Sequence, residues 1–121
     1  MKIFTSYYAK IKKIPNSYVL ISIAGRCPDF YTGIEYKVLA PKYSFFKIYK
    51  ENHDVKYYTK CFNNEVLSHL SPDKVVEHLQ SLSNGKDVVL LCYEKPSDFC
   101  HRKLVARWLC DAGYDVQELD V

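Results

Sequence analysis

Residues Val88–Leu109 read VVLLCYEKPSDFCHRKLVARWL, and this stretch decides the fold. It opens on an unbroken apolar run, Val88-Val89-Leu90-Leu91, that ends in Cys92. The run is short, β-branched at its start, and bounded by Gly85 upstream and Pro96 downstream. That pattern predicts a strand buried on both faces. Tyr93, Glu94 and Lys95 lead into a turn at Pro96-Ser97-Asp98, after which Cys100-His101-Arg102 opens a helix. Leu104, Val105, Trp108 and Leu109 recur at helical spacing and mark its inner face. A thiol and a carboxylate thus stand at the end of a strand, and a thiol, an imidazole and a guanidinium in the first turn of the next helix. In open α/β sheets, ligands gather in that crevice.

Working outward, Ser71-Pro72 predicts the start of the preceding helix, a Ser cap followed by Pro in the first turn. Val75, Val76, Leu79 and Leu82 form its stripe, and Asn84-Gly85 ends it. After the central helix, Asp111-Ala112-Gly113 closes the turn and Tyr114–Leu119 predicts a last strand. Toward the N-terminus, Lys2–Tyr8 and Tyr18–Ile23 read as strands, joined by the basic segment Lys10–Asn16 with its Pro15-Asn16 turn. A short helix is expected over Lys42–Lys50. Asp54 is placed to cap a longer one reaching Leu70, with Tyr58, Cys61, Phe62, Val66 and Leu67 on one side. Asp29–Ala40 carries no clear period and reads as a loop. Strands alternating with helices predict one compact three-layer α/β domain over residues 1–121, with a four- or five-stranded, mostly parallel sheet and right-handed crossovers.

Composition bounds the function. Hydrophobic residues make up 48% of the chain and charged residues 26%, the balance of an ordinary globular protein. No segment approaches the length of a membrane span, and the N-terminus turns polar too early for a secretory signal. With five cysteines, an odd number at irregular spacing, free thiols in the cytoplasm are expected. A net charge of +3 tolerates an anionic ligand without amounting to a nucleic-acid footprint. Eleven tyrosines leave open either base stacking or half-buried packing. Nucleic acid therefore stays among the possible partners, and a membrane does not.

Several chemistries are open to the central stretch. Cys100 at a helix N-terminus beside His101 and Arg102 has the surroundings of a nucleophilic or redox-sensitive thiol. Cys92 is either a second such thiol or a packed strand residue. Arg102 at that same terminus is placed to hold a phosphate or carboxylate, and Arg26, just past Gly25 at the end of the second strand, offers a second fork. The alternative for Arg26 is a surface ion pair. Arg102 follows Cys100 too closely for the phosphate loop of a thiol phosphatase. Glu94 and His101 would suit proton transfer, unless Glu94 simply pairs with Arg102 or Arg26. Tyr7, at the end of the first strand, lies within reach of a ligand at the same lip. A metal held by Cys92, Cys100, His101 and either Cys27 or Glu94 is disfavoured, because adjacent Cys100 and His101 should diverge on a helix. No metal and no cofactor is therefore expected.

The run Leu90–Leu109 closely resembles the signature of the domain-of-unknown-function family numbered four-eight-eight. That signature is an apolar strand, Cys-x-Glu, a short loop, and Cys-His-Arg leading a helix; here it is Cys92, Glu94, Cys100, His101 and Arg102. The match covers Asp87–Leu119 and extends to the first strand and to Ile21–Pro28. There Arg26 and Pro28 fit, while Ser22 or Ala24 stands where the family carries an acidic residue. The family's Gly-Tyr turn after the first strand appears as Ser6-Tyr7-Tyr8. The resemblance implies a small α/β domain with these polar residues in one pocket, in a context of nucleotide or nucleic-acid processing. Three functions follow as expectations. One is an enzyme acting on a small phosphorylated or nucleotide-like ligand. Another is a module that binds such a ligand without turnover. In the third, the polar cluster only braces the loop.

Overall fold

The computed structural model describes residues 1–121. Five strands form one sheet: β1 (Ile3–Tyr7), β2 (Val19–Ser22), β3 (Ile34–Glu35), β4 (Val88–Cys92) and β5 (Val116–Glu118). Their order is β3-β2-β4-β1-β5, and every pairing is parallel. All five residues of β4 are buried, as its unbroken apolar run requires of a central strand covered on both sides. The short β3 lies inside Asp29–Ala40, where two residues are too few to generate a readable alternation.

Four α-helices follow the strands: α1 (Tyr43–Asn52), α2 (Val55–Glu65), α3 (Pro72–Ser83) and α4 (His101–Asp111). Asp54 caps α2 by accepting the Tyr57 N–H at 3.1 Å, and Ser71 caps α3. The helix expected to run to Leu70 ends at Glu65. A 3-10 turn at Leu67–His69 takes the chain on, burying Val66 and Leu67 under the same core.

The larger core lies on the helical face. Ile3, Ile21, Val88, Leu90 and Val116 of the sheet meet Phe45, Tyr58, Phe62, Leu79, Val105 and Leu109 of the helices. The opposite face is covered more thinly, by the 3-10 turn Tyr8–Lys13, Ile14, Tyr31 and the C-terminal Leu119 and Val121 packing on Val89 and Leu91. This thin cover is the third layer of the expected α/β fold. Most tyrosines serve as packing. Tyr49 and Tyr58 meet Phe45, Phe62 and Phe99 edge-on or stacked, and Tyr8 meets Tyr31 and Tyr93. No helix is long and apolar enough to cross a membrane.

Topology places the site. The neighbours β1 and β4 send their connections across the sheet in opposite directions, β1 toward β2 and β4 toward β5. Tyr7 and Cys92, the last residues of these strands, stand side by side in register. The chain's direction across the sheet thus changes where the Cys-x-Glu and Cys-His-Arg segments meet.

Candidate functional site

Along β4, side chains alternate between faces, so Cys92 shares the helical face with Val88 and Leu90. The loop after it returns the chain to the same face. Its backbone closes with Asp98 N–H to Lys95 C=O at 2.9 Å, and the Lys103 ammonium ties the Pro96 and Asp98 carbonyls to α4. Cys100 is the cap residue of α4. Its backbone is extended (φ −150°, ψ 145°), and no side chain caps the helix there. Cys92 and Cys100 are joined as a disulfide, while Cys27, Cys61 and Cys110 are free. The expectation that all the thiols are free is corrected here: strand end and helix cap, eight residues apart, meet over a short closed loop.

The extended backbone of Cys100 also overturns the expected divergence of Cys100 and His101. That divergence holds for two consecutive helical residues, but Cys100 lies outside the helix. Its Sγ and the His101 Nδ1 are 3.9 Å apart on one side. The two sulfurs and one His101 ring nitrogen all lie within 4.8 Å of one another, the set of donors that could hold a metal. His101 is 7% exposed and reaches under the lip, its Nε2 2.7 Å from the Ile23 carbonyl. A carbonyl only accepts, so Nε2 carries the proton and Nδ1 keeps its lone pair toward the sulfurs. Burial pushes the His101 pKa down to about 4, and the Arg102 charge adds to that against the Ile23 hydrogen bond. At neutral pH the ring is uncharged, and its Nδ1 presents a lone pair rather than a proton.

Arg102 is wholly buried, and all three of its nitrogens donate hydrogen bonds. Nε donates to Glu118 Oε1 and Nη2 to Glu118 Oε2, both at 3.0 Å, a bidentate fork. Nη1 donates to Cys92 Sγ at 3.2 Å and to the Glu94 carbonyl at 2.5 Å. The Tyr7 ring lies 5.5 Å from the guanidinium carbon, and Thr5 Oγ1 donates to Glu118 Oε1 at 2.7 Å. Arg102 therefore ties β1, β4 and β5 to α4 at one point. Its carboxylate partner is Glu118, a residue the sequence reading passed over. Glu118 sits on the inward side of the alternation from Val116, and an acidic residue turned inward at a strand end calls for a buried cation. That was the available signal.

The remaining residues stand at the rim. The Glu94 side chain is exposed and makes no ion pair, and only its backbone carbonyl meets Arg102. The Glu94 charge contributes to raising the phenols of Tyr49 and Tyr58, after burial in both cases, which puts it on the helical side of the lip. Arg26 is exposed and free of ion pairs, and its carbonyl accepts the Tyr93 hydroxyl at 2.6 Å. The structure thus gathers Tyr7, Cys92, Cys100, His101 and Arg102, and leaves Arg26 and the Glu94 carboxylate at the exposed edge. A groove lies away from this site, at the other end of the strands, lined by Met1, Lys2, Phe4, Val76, Gln80 and Gln117 among others.

No curated protein and no solved structure matches the chain. A family model described as the active DUF488-N3 subclade matches residues 23–113, a span that takes in Ile23, Arg26 and the whole Cys-x-Glu to Cys-His-Arg segment. On that match over most of its length, the chain belongs to the DUF488 family.

Proposed function

We propose that the protein is an enzyme acting on a small anionic, nucleotide-like ligand at the C-terminal lip of the sheet. One observation carries this reading: a sulfur pair stands between a buried guanidinium, 3.2 Å from Cys92, and an uncharged imidazole nitrogen, 3.9 Å from Cys100. A guanidinium favours thiolate over thiol, and the Nδ1 lone pair of the neutral imidazole is placed to accept a hydrogen bond from the Cys100 thiol. The reduced pair thus has a cation that favours thiolate on one side and a neutral hydrogen-bond acceptor on the other. Arg26, with no partner for its charge, would take the ligand's anionic group, and Glu94 at the rim would move a proton on the ligand. The exposed Tyr93 and Phe30 offer ring faces for a base. Arg102 enters as a positioning residue, since its fork is occupied by Glu118.

The burial of the whole cluster favours a second reading, a module that binds the same ligand and returns it unchanged. Cys92, Cys100, His101 and Arg102 are each no more than 7% exposed.

A melting screen of nucleotides, sugar phosphates and short oligonucleotides against reduced wild type, Arg26→Ala and Glu94→Gln tests the shared part of both. A ligand at a hundred times its Kd adds about 2.7 kcal/mol, a readily seen rise in melting temperature. The expected result is one ligand class that raises wild-type melting and shifts Arg26→Ala less. An equal shift in both proteins removes the lip from the reading.

A further inference from the structure

We propose that Cys92, Cys100 and His101, once the disulfide is reduced, form a site for a thiophilic divalent metal ion of the zinc class. The Cys92–Cys100 disulfide is then the closed state of that site. This goes beyond the ligand reading above and does not depend on turnover.

Three observations carry it. Two sulfurs and an imidazole nitrogen already converge within 4.8 Å. Tetrahedral zinc, with Zn–S near ~2.3 Å and Zn–N near ~2.0 Å, needs its donors roughly 3.3–3.8 Å apart, so only a small rearrangement separates the trio from that geometry. The Cα atoms of the two cysteines stand 7.2 Å apart, which leaves room for the sulfurs to part around an ion. Second, the donor nitrogen of His101 is fixed. Nε2–H donates to the Ile23 carbonyl at 2.7 Å, so Nδ1 is the nitrogen with the lone pair, and it faces Cys100. Metal-binding histidines characteristically donate their second N–H to a carbonyl or carboxylate in this way.

The third observation is charge. The guanidinium of Arg102 is already balanced by Glu118. Two thiolates in this buried place would have no full counter-charge of their own, and a divalent ion supplies it. Opening the disulfide takes two electrons and two protons from a dithiol, which leaves as its own disulfide. Metal binding then releases the two thiol protons to solvent. Three protein donors leave a fourth tetrahedral position for water or a ligand.

The test is a Co²⁺ titration of protein reduced with a dithiol and freed of it under nitrogen. The expected result is a sulfur-to-cobalt charge-transfer band that saturates at one ion per chain, is displaced by Zn²⁺, and is absent from the oxidised protein. In Cys92→Ser and in Cys100→Ser the band should be lost. In His101→Gln affinity should fall by at least the ~10- to 100-fold that follows loss of an outer partner of a metal ligand. The decisive variant is Cys27→Ser/Cys61→Ser/Cys110→Ser, which leaves the pair as the only sulfurs capable of forming thiolates and disturbs neither. If it keeps the band, and bound Zn²⁺ shields both remaining thiols from alkylation, the assignment stands. No band from reduced wild type, a band lost in the triple variant, or a band in the oxidised protein would overturn it. Metal binding without turnover of any ligand would sink the enzyme reading alone. Turnover that a chelator leaves untouched, with no cobalt band, would sink the metal site alone.

Discussion

Arg102 shows why a residue's type does not settle its role. A guanidinium at a helix start beside a Cys and a His reads as an anion seat, yet here its fork closes on Glu118 and its third direction on Cys92. Removing one partner of a buried pair typically costs about 3–5 kcal/mol, because the other is left uncompensated. Glu118 is one third exposed, so water can take over part of its solvation and the loss should fall at the lower end. Arg102→Ala is expected to lower unfolding free energy by about 3 kcal/mol in urea, with Glu118→Gln losing at least as much, because it leaves the wholly buried guanidinium without a counter-charge. Equal small losses would place the pair among surface ion pairs. Ser6 is the opposite case, a buried hydroxyl with no hydrogen-bond partner. Ser6→Ala removes an unsatisfied group, and stability should hold or rise by up to ~1 kcal/mol; a clear loss would mean that the hydroxyl has a partner.

At the scale of elements, the strand, loop and helix of Val88–Leu109 were legible because each carried its own signal: an apolar run, a Pro-Ser-Asp turn and a helical stripe. The cap of α3 at Ser71-Pro72 was legible for the same reason. What the sequence hid depends on pairing between distant segments. The partner of Arg102 is 16 residues on, across a crossover, and the Ile23 carbonyl under His101 is 78 residues back. Backbone carbonyls leave no mark in a sequence. The disulfide was hidden by the odd count of cysteines, which argued for free thiols, and the metal-capable trio by treating Cys100 as helical when it is the extended cap. The disulfide closes a short loop, so reduction of the metal-free protein should cost about 2–3 kcal/mol by loop-closure entropy. A melting temperature unchanged by a dithiol would contradict this. Likewise, Asp54→Ala should lower stability by about 1 kcal/mol through loss of the α2 cap.

Over the whole molecule, the sheet is thickly covered on one face and thinly on the other, and the tyrosines link the two covers to the core. Burial pushes the Tyr31 phenol up to about 12 and lifts Tyr8 and Tyr58 further. Tyrosines in the unfolded chain titrate near ~10. Below that pH both states keep these protons, and stability does not respond. Above it the unfolded chain releases protons that the folded chain retains, so stability falls as pH rises. Denaturant midpoints should therefore decline above pH ~10, and the last tyrosinate absorbance should appear together with unfolding. Titration of every tyrosine near ~10 in a folded protein would contradict the packing.

The sulfur pair, His101 and Arg102 sit where β1 and β4 end side by side, and the proposed function rests on that point. It is tested most directly by incubating the reduced protein with nucleotides and sugar phosphates and analysing the products by mass spectrometry. A His101→Gln variant shown to be folded is carried in parallel. The expected result is a ligand class changed by wild type, with the rate at least about 100-fold lower in the variant, the scale of a general acid–base contribution. A ligand that raises the melting temperature but returns unchanged from wild type, or is changed equally by His101→Gln, would contradict an enzyme working through this site.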